Sequence, residues 1–144
     1  MDESEPDQAV PGQTLQPANA KPTKKVLLIE DEHFIGDLYV RALTNAGYYT
    51  TLEVDGAKGL ALAQSDQYDI ILLDLMVPTI TGIEILRDLR DPKKTPSLRA
   101  KIVITTNLEQ REDVRNDIEK QADGYIVKAE LTPKELVEFL NNIA

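Results

Sequence analysis

The chain contains no cysteine, a single histidine and few basic residues for its acidic content. Without cysteine, disulfides and thiolate metal sites are excluded. Lys and Arg number 16 against 25 Asp and Glu, a formal net charge of −9. That balance argues against direct nucleic-acid binding, which needs a basic patch to meet phosphates. No stretch is long and apolar enough to span a membrane. Asp2, Glu3, Glu5 and Asp7 stand where a secretory leader would carry positive charge. A cytoplasmic location is the expectation that follows.

The 144 residues are 42% hydrophobic and 28% charged, enough for one domain with a real core. Residues 1–23 hold Pro6, Pro11, Pro17 and Pro22 and show no periodicity. They read as a disordered tail rich in Pro, Gln and acids, with residues 24–144 as the domain. From Lys24 onward, strand-like and helix-like segments alternate five times.

The first helix is expected from His33 to Ala46, where Ile35, Leu38, Tyr39, Ala42, Leu43 and Ala46 recur at helical spacing and Gly47 stops the run. A weaker, edge-like strand follows over Tyr48–Val54, then a short helix over Asp55–Gln64. Thr81 and Glu84 form a capping-box pattern opening a helix to about Arg90. Asn107–Gln110 offers a cap for a polar fourth helix reaching about Lys120. Thr132-Pro133-Lys134-Glu135 combines a Thr cap, Pro at the first helical position and Glu at the third.

The strands between these helices carry the chemistry. Ile70-Ile71-Leu72-Leu73 is an unbroken branched apolar run, the mark of a strand buried on both faces, and it ends at Asp74. A carboxylate at such a position is costly and needs a partner. Val26-Leu27-Leu28-Ile29 runs into Glu30-Asp31-Glu32 in the same way. The strand Lys101–Thr105 is followed by Thr106, and Gly124–Val127 by Lys128. If the strands are parallel, the acids, the hydroxyl and the ammonium meet at one sheet edge, where open α/β sheets bind ligands. Parallel crossovers need helices and are right-handed. The expected fold is therefore a flavodoxin-like, doubly wound, five-stranded parallel sheet of order 2-1-3-4-5, an α/β/α sandwich with five helices.

With Glu30-Asp31, Asp74 with Pro78 and Gly82, Thr106 and Tyr125-Ile126-Val127-Lys128 in this order at successive strand ends, residues 24–144 resemble the receiver domain of bacterial two-component response regulators. The resemblance implies a single-domain response regulator that accepts a phosphoryl group on Asp74 in a Mg2+-dependent phosphorelay. The donor would be a sensor histidine kinase, a phosphotransfer protein or a small acyl phosphate. Mg2+ would be held by Glu30, Asp31, Asp74 and the backbone carbonyl of Met76. Lys128 would pair with Asp74 and then with the phosphoryl oxygens, Thr106 would bind the phosphoryl group, and Tyr125 would be the aromatic switch. The only catalysis implied is the protein's own phosphorylation and dephosphorylation. A downstream protein would bind through the fourth helix, fifth strand and last helix, with no membrane or nucleic-acid partner.

Three converging carboxylates repel one another unless a cation offsets them, and Mg2+ suits oxygen ligands and phosphate. Plainer readings stand beside these. Glu30-Asp31-Glu32 also suits an acidic first helical turn, Lys128 a surface strand end, and Tyr125 a half-buried core position. His33 reads as a first-turn helix residue rather than a ligand. Thr105 is as good a hydroxyl as Thr106, although strand register favours Thr106.

The chain departs from the family pattern at Glu30 (commonly Asp), Thr81 (often Asp), Gln121 (usually Gly) and Ala129 (usually Pro, often after a cis bond). Met76 and Leu108 are apolar at places that influence how water reaches the acyl phosphate, which implies slow self-dephosphorylation. Two other classes compete: a phosphorylation-independent interaction module on this fold, and an aspartyl-nucleophile hydrolase. The latter normally carries its nucleophile after the first strand with a second Asp two residues on, where this chain has Met76.

Overall fold

The computed structural model describes residues 10–15 and 24–144. Five parallel strands form the heart of the sheet: β2 (Lys25–Ile29), β3 (Tyr49–Glu53), β4 (Ile70–Asp74), β5 (Lys101–Thr106) and β6 (Gly124–Val127). They lie in the order β3-β2-β4-β5-β6, the expected flavodoxin-like arrangement. The three most apolar strands, β2, β4 and β5, occupy its centre. Each is almost wholly buried because helices cover both of its faces.

A sixth strand changes the expected edge. Thr14–Leu15 forms β1, antiparallel to β3, with Thr14 opposite Thr51 and Leu15 opposite Thr50. The sheet is therefore six-stranded and mixed, not five-stranded and parallel. An edge strand presents a row of open backbone groups, and a short extended segment satisfies them. The Gly12 amide donates to the Leu52 carbonyl, and the Thr14 and Thr51 hydroxyls bond to each other. Two residues are too few for any periodicity, which is why this strand leaves no trace in the sequence pattern. The remainder of the expected tail, residues 1–9 and 16–23, lies outside the described residues.

Strand alternation divides the core. Leu27, Ile29, Ile71, Leu73, Ile102 and Ile104 face one side, packed under α2 (Gly56–Gln64), α3 (Gly82–Arg90) and α4 (Glu112–Gln121). Val26, Leu28, Ile70, Leu72, Val103 and Ile126 face the other, under α1 (His33–Asn45) and α5 (Pro133–Ile143). Burying each such side chain contributes about 1.5–3 kcal/mol, so two full layers hold the strand ends in place.

Most helix starts follow the expected chemistry. Thr81 accepts from the Glu84 amide, and Asp55 from the Lys58 amide. Thr132 and Glu135 complete a full capping box ahead of α5. Two α-helices start without a side-chain cap, α1 behind Glu32 and α4. The latter begins at Glu112 with Arg111 at its N-cap. Asn107 and Gln110, the expected caps, have tertiary partners instead. Only Ile118 of α4 is buried, and the acidic Glu112 and Asp113 favour its N-terminus through the helix dipole.

Candidate functional site

Parallel register brings the polar strand ends together. Ile29 pairs with Leu73, which sets Glu30 beside Asp74, and Asp74 itself pairs with Thr105. Thr106 pairs with Val127, and Lys128 follows directly. Glu30 and Asp74 are each 1% exposed and Lys128 is 8% exposed. Charges this deep are tolerated only when paired. Lys128 Nζ donates to Glu30 Oε1 at 2.5 Å and to Asp74 Oδ2 at 3.1 Å.

Backbone groups take the other two oxygens. The Met76 amide donates to Asp74 Oδ1 at 3.1 Å, and the Glu32 amide to Glu30 Oε2 at 3.2 Å. The loop after β4 turns sharply to allow this. Thr79 sits at a positive φ of 73°, and its hydroxyl accepts from the Ala57 amide at 2.9 Å. Gly82 lies so close to the β4 end that a Cβ there would collide with the Asp74 carbonyl oxygen.

One ammonium does not balance the acids. Burial, the hydrogen bond with Asp74 and the Asp74 charge push the Glu30 carboxyl up to about 7, against the pull of Lys128. Burial alone would lower the Lys128 ammonium; the hydrogen bond and charge of Glu30, joined by Asp74, outweigh it and hold it above the usual lysine value. Asp31 brings a third carboxylate, on the solvent side. One oxygen from each of Glu30, Asp31 and Asp74 falls within 4.8 Å of the others. A cluster of hard oxygen donors with a surplus of negative charge fits a small divalent cation.

Thr106 and Tyr125 make their hydrogen bonds outside this cluster. Thr106 is 2% exposed, and its hydroxyl donates to the Leu108 carbonyl at 3.0 Å. The Tyr125 hydroxyl accepts from the Gln110 amide at 3.3 Å. The Arg115 guanidinium stands over the Tyr125 ring, 4.5 Å from its centroid. Glu109 and Glu119 hold Arg115 there at 2.8 and 3.0 Å.

Residues 26–141 match the response regulator receiver domain family. The chain belongs to that family.

A response regulator ArlR of Staphylococcus saprophyticus is 38% identical over 119 residues, covering 83% of this chain and 50% of that protein. The chain thus spans about half the length of the curated relatives it matches. A Vibrio cholerae chemotaxis response regulator, CheY4, is 27% identical with a TM-score of 0.72, covering 84% of this chain and 98% of that one. The receiver domain of the Francisella response regulator 1452 is 25% identical with a TM-score of 0.72, covering 84% and 96%.

Receiver domains bind Mg2+ at an acidic pocket and interact with histidine kinases or phosphotransfer proteins. In this receiver the acidic pocket gathers Glu30, Asp31, Asp74 and Lys128, all four singled out from strand ends. His33 opens α1 as an exposed helix residue. Met76 is 72% exposed and Leu108 75% exposed, both on loops above the strand ends. Among the described residues every peptide bond is trans, and Lys128–Glu130 forms a single 3-10 turn where Ala129 replaces the usual Pro. No helix of the described residues is long and apolar enough to cross a membrane.

Two residues expected as helix caps have tertiary roles instead. Asn107 Nδ2 donates to Glu32 Oε1 at 3.0 Å, joining the β5–α4 loop to the β2–α1 loop. Gln110 joins Thr106, Leu108 and Tyr125. Amide side chains in a loop carry no spacing signal, so only the folded loop shows what they hold.

Proposed function

We propose that this receiver accepts a phosphoryl group on Asp74 and changes its affinity for a partner protein as a result. The observation that supports this is the buried Glu30–Lys128–Asp74 arrangement at the carboxyl end of a parallel sheet. Asp74 is a nucleophile held still from both sides, by the Met76 amide and by Lys128. Phosphoryl transfer needs little more from a protein than positioning and charge neutralisation.

In the proposed reaction a carboxylate oxygen of Asp74 attacks the phosphorus of a phosphohistidine. An O–P bond forms, the N–P bond breaks, and the imidazole leaves and takes up a proton. With a small acyl phosphate, a carboxylate leaves instead. Lys128 moves its hydrogen bond from the Asp74 carboxylate to a phosphoryl oxygen. Glu30 and Asp31, with Asp74 and the Met76 carbonyl, would hold Mg2+, which supplies positive charge to the three carboxylates and the incoming phosphoryl oxygens. The new group adds about −1.5 to −2 charges. That charge attracts the Thr106 hydroxyl and biases an existing two-state equilibrium of the β5–α4 loop and Tyr125. The surface of α4, β6 and α5 is the candidate site for the partner.

The test uses Mg2+, acetyl phosphate and an Asp74→Asn variant. Intact mass is expected to show one phosphoryl adduct on the wild type and none on the variant. Amide shifts are expected to spread to Thr106, Tyr125 and α4. A folded wild type that gains neither adduct nor shifts would overturn the reading.

A further inference from the structure

We propose that Gln110 is a positioning residue that holds the Thr106 hydroxyl away from Asp74, so that it sets how tightly the receiver retains a phosphoryl group. This rests on the reading of Asp74 as the phosphoacceptor.

A threonine hydroxyl has one proton to give. Thr106 gives it to the Leu108 carbonyl at 3.0 Å. While that bond stands, the hydroxyl has no proton for a phosphoryl oxygen on Asp74. The Gln110 side chain ties down both partners of that bond. Its Nε2 donates to Thr106 Oγ1 at 3.4 Å and to the Leu108 carbonyl at 3.2 Å. The same residue's backbone amide donates to the Tyr125 hydroxyl at 3.3 Å. One residue therefore touches the hydroxyl, the acceptor that occupies it, and the aromatic ring expected to move with it. The Leu108 amide also points at Thr106 Oγ1, at 3.4 Å. It remains with the loop whatever stands at position 110, so the Gln110 side chain is the part that substitution removes.

Loop position explains why the clasp is available. The Gln110 side chain is not used to cap α4, which starts at Glu112 without a side-chain cap. Its bonds are also long and partly solvated, so they are weak enough to break. Releasing them belongs to the cost of moving Thr106 inward, and the phosphorylated state bears that cost. Removing the clasp lowers it, and the affinity for a phosphoryl mimic rises. A hydrogen bond of ordinary net strength corresponds to a gain of roughly two- to tenfold.

The experiment titrates beryllofluoride with Mg2+ into wild type, Gln110→Ala, Gln110→Met, Thr106→Val and the Gln110→Ala/Thr106→Val pair, reading amide shifts. Asp74→Asn is the control for binding at the acceptor. Gln110→Ala and Gln110→Met, which both lose the Nε2 donor without adding charge, are expected to bind more tightly than wild type. In the Thr106→Val background the Gln110→Ala gain is expected to vanish, because Gln110 acts through that hydroxyl. Unchanged affinity, or the same gain without the Thr106 hydroxyl, would overturn the proposal while leaving the phosphoacceptor reading intact. Wild type that binds no beryllofluoride, or binds it equally as Asp74→Asn, sinks that reading and the proposal together.

Discussion

Lys128 stands closer to Glu30 than to Asp74, at 2.5 against 3.1 Å. The buried ammonium is shared, and its shorter bond goes to Glu30, not to the proposed acceptor. Asp74 is thus restrained without being fully neutralised. A carboxylate in that condition keeps electron density for attack on phosphorus.

Removing the shared cation isolates two buried acids. Lys128→Met is expected to destabilise the metal-free protein by about 3–5 kcal/mol, the usual cost of stranding a buried charge. The penalty should be larger at pH 8 than at pH 5, where Glu30 can take up a proton. Urea unfolding in chelator at the two pH values checks this, and equal penalties would contradict it.

Glu30 makes its own pH dependence. Its carboxyl is raised from an ordinary value of 4.5 to about 7 by burial and by Asp74. The folded protein therefore holds this proton more tightly than the unfolded chain does. The resulting stability is fully present below about 4.5 and is lost as pH rises through about 7. Asp66 and Glu135 work the opposite way. Hydrogen bonds from Arg99 and Thr132 hold them below the usual carboxylate range, so their contributions fade in acid. Comparing wild type with Glu30→Gln isolates the Glu30 part. In chelator, the thermal midpoint of the wild type is expected to fall relative to the variant between pH 5 and pH 8. Parallel curves would refute it.

The two adjacent threonines are expected to separate cleanly. Thr105 is wholly buried, faces the same side as Asp74, and its Oγ1 has no hydrogen-bond partner. An unsatisfied buried hydroxyl costs about 1–3 kcal/mol. Thr105→Val is therefore expected to raise stability by about 1 kcal/mol and leave acetyl-phosphate labelling unchanged. Thr106→Val is expected to reduce the shifts that follow phosphorylation. A drop in stability or labelling for Thr105→Val would show that its hydroxyl has a role in the pocket.

Met76 and Leu108 stand exposed on the loops around Asp74, the proposed acceptor, and neither side chain can orient a water by hydrogen bonding. The phosphorylated protein is expected to lose its label slowly. Leu108→Glu or Met76→Asn should shorten the lifetime severalfold, followed by intact mass after the donor is removed. A wild-type lifetime of seconds would run against this.

The sheet order and the acidic pocket were legible because parallel strands write themselves strongly into a sequence. Val26–Ile29, Ile70–Leu73 and Ile102–Ile104 are continuous apolar runs, since helices cover both faces, and each is followed by a polar residue at one edge. Gly82 stood in the sequence only as part of the family pattern; its reason, a loop returning against the Asp74 carbonyl with no room for a Cβ, belongs to the folded structure. The α4 start was misplaced because Asn107 and Gln110 have cap chemistry but tertiary partners. Strand β1 was missed because pairing at a sheet edge depends on the neighbour's open backbone, not on local pattern.

Local hydrophobic pattern thus settled the five parallel strands and the helices between them, apart from the start of α4, and chain polarity then placed Glu30, Asp31, Asp74 and Lys128 at one edge. Burial and periodicity act within a single element, so they can be read residue by residue. The folded state decided matters of distance between elements. It set Lys128 nearer to Glu30 than to Asp74, and it turned the Thr106 hydroxyl to Leu108. It also put Arg115 over Tyr125 and gave Gln110 three partners at once. Those contacts depend on ångström-scale loop geometry, which no spacing in the linear chain encodes.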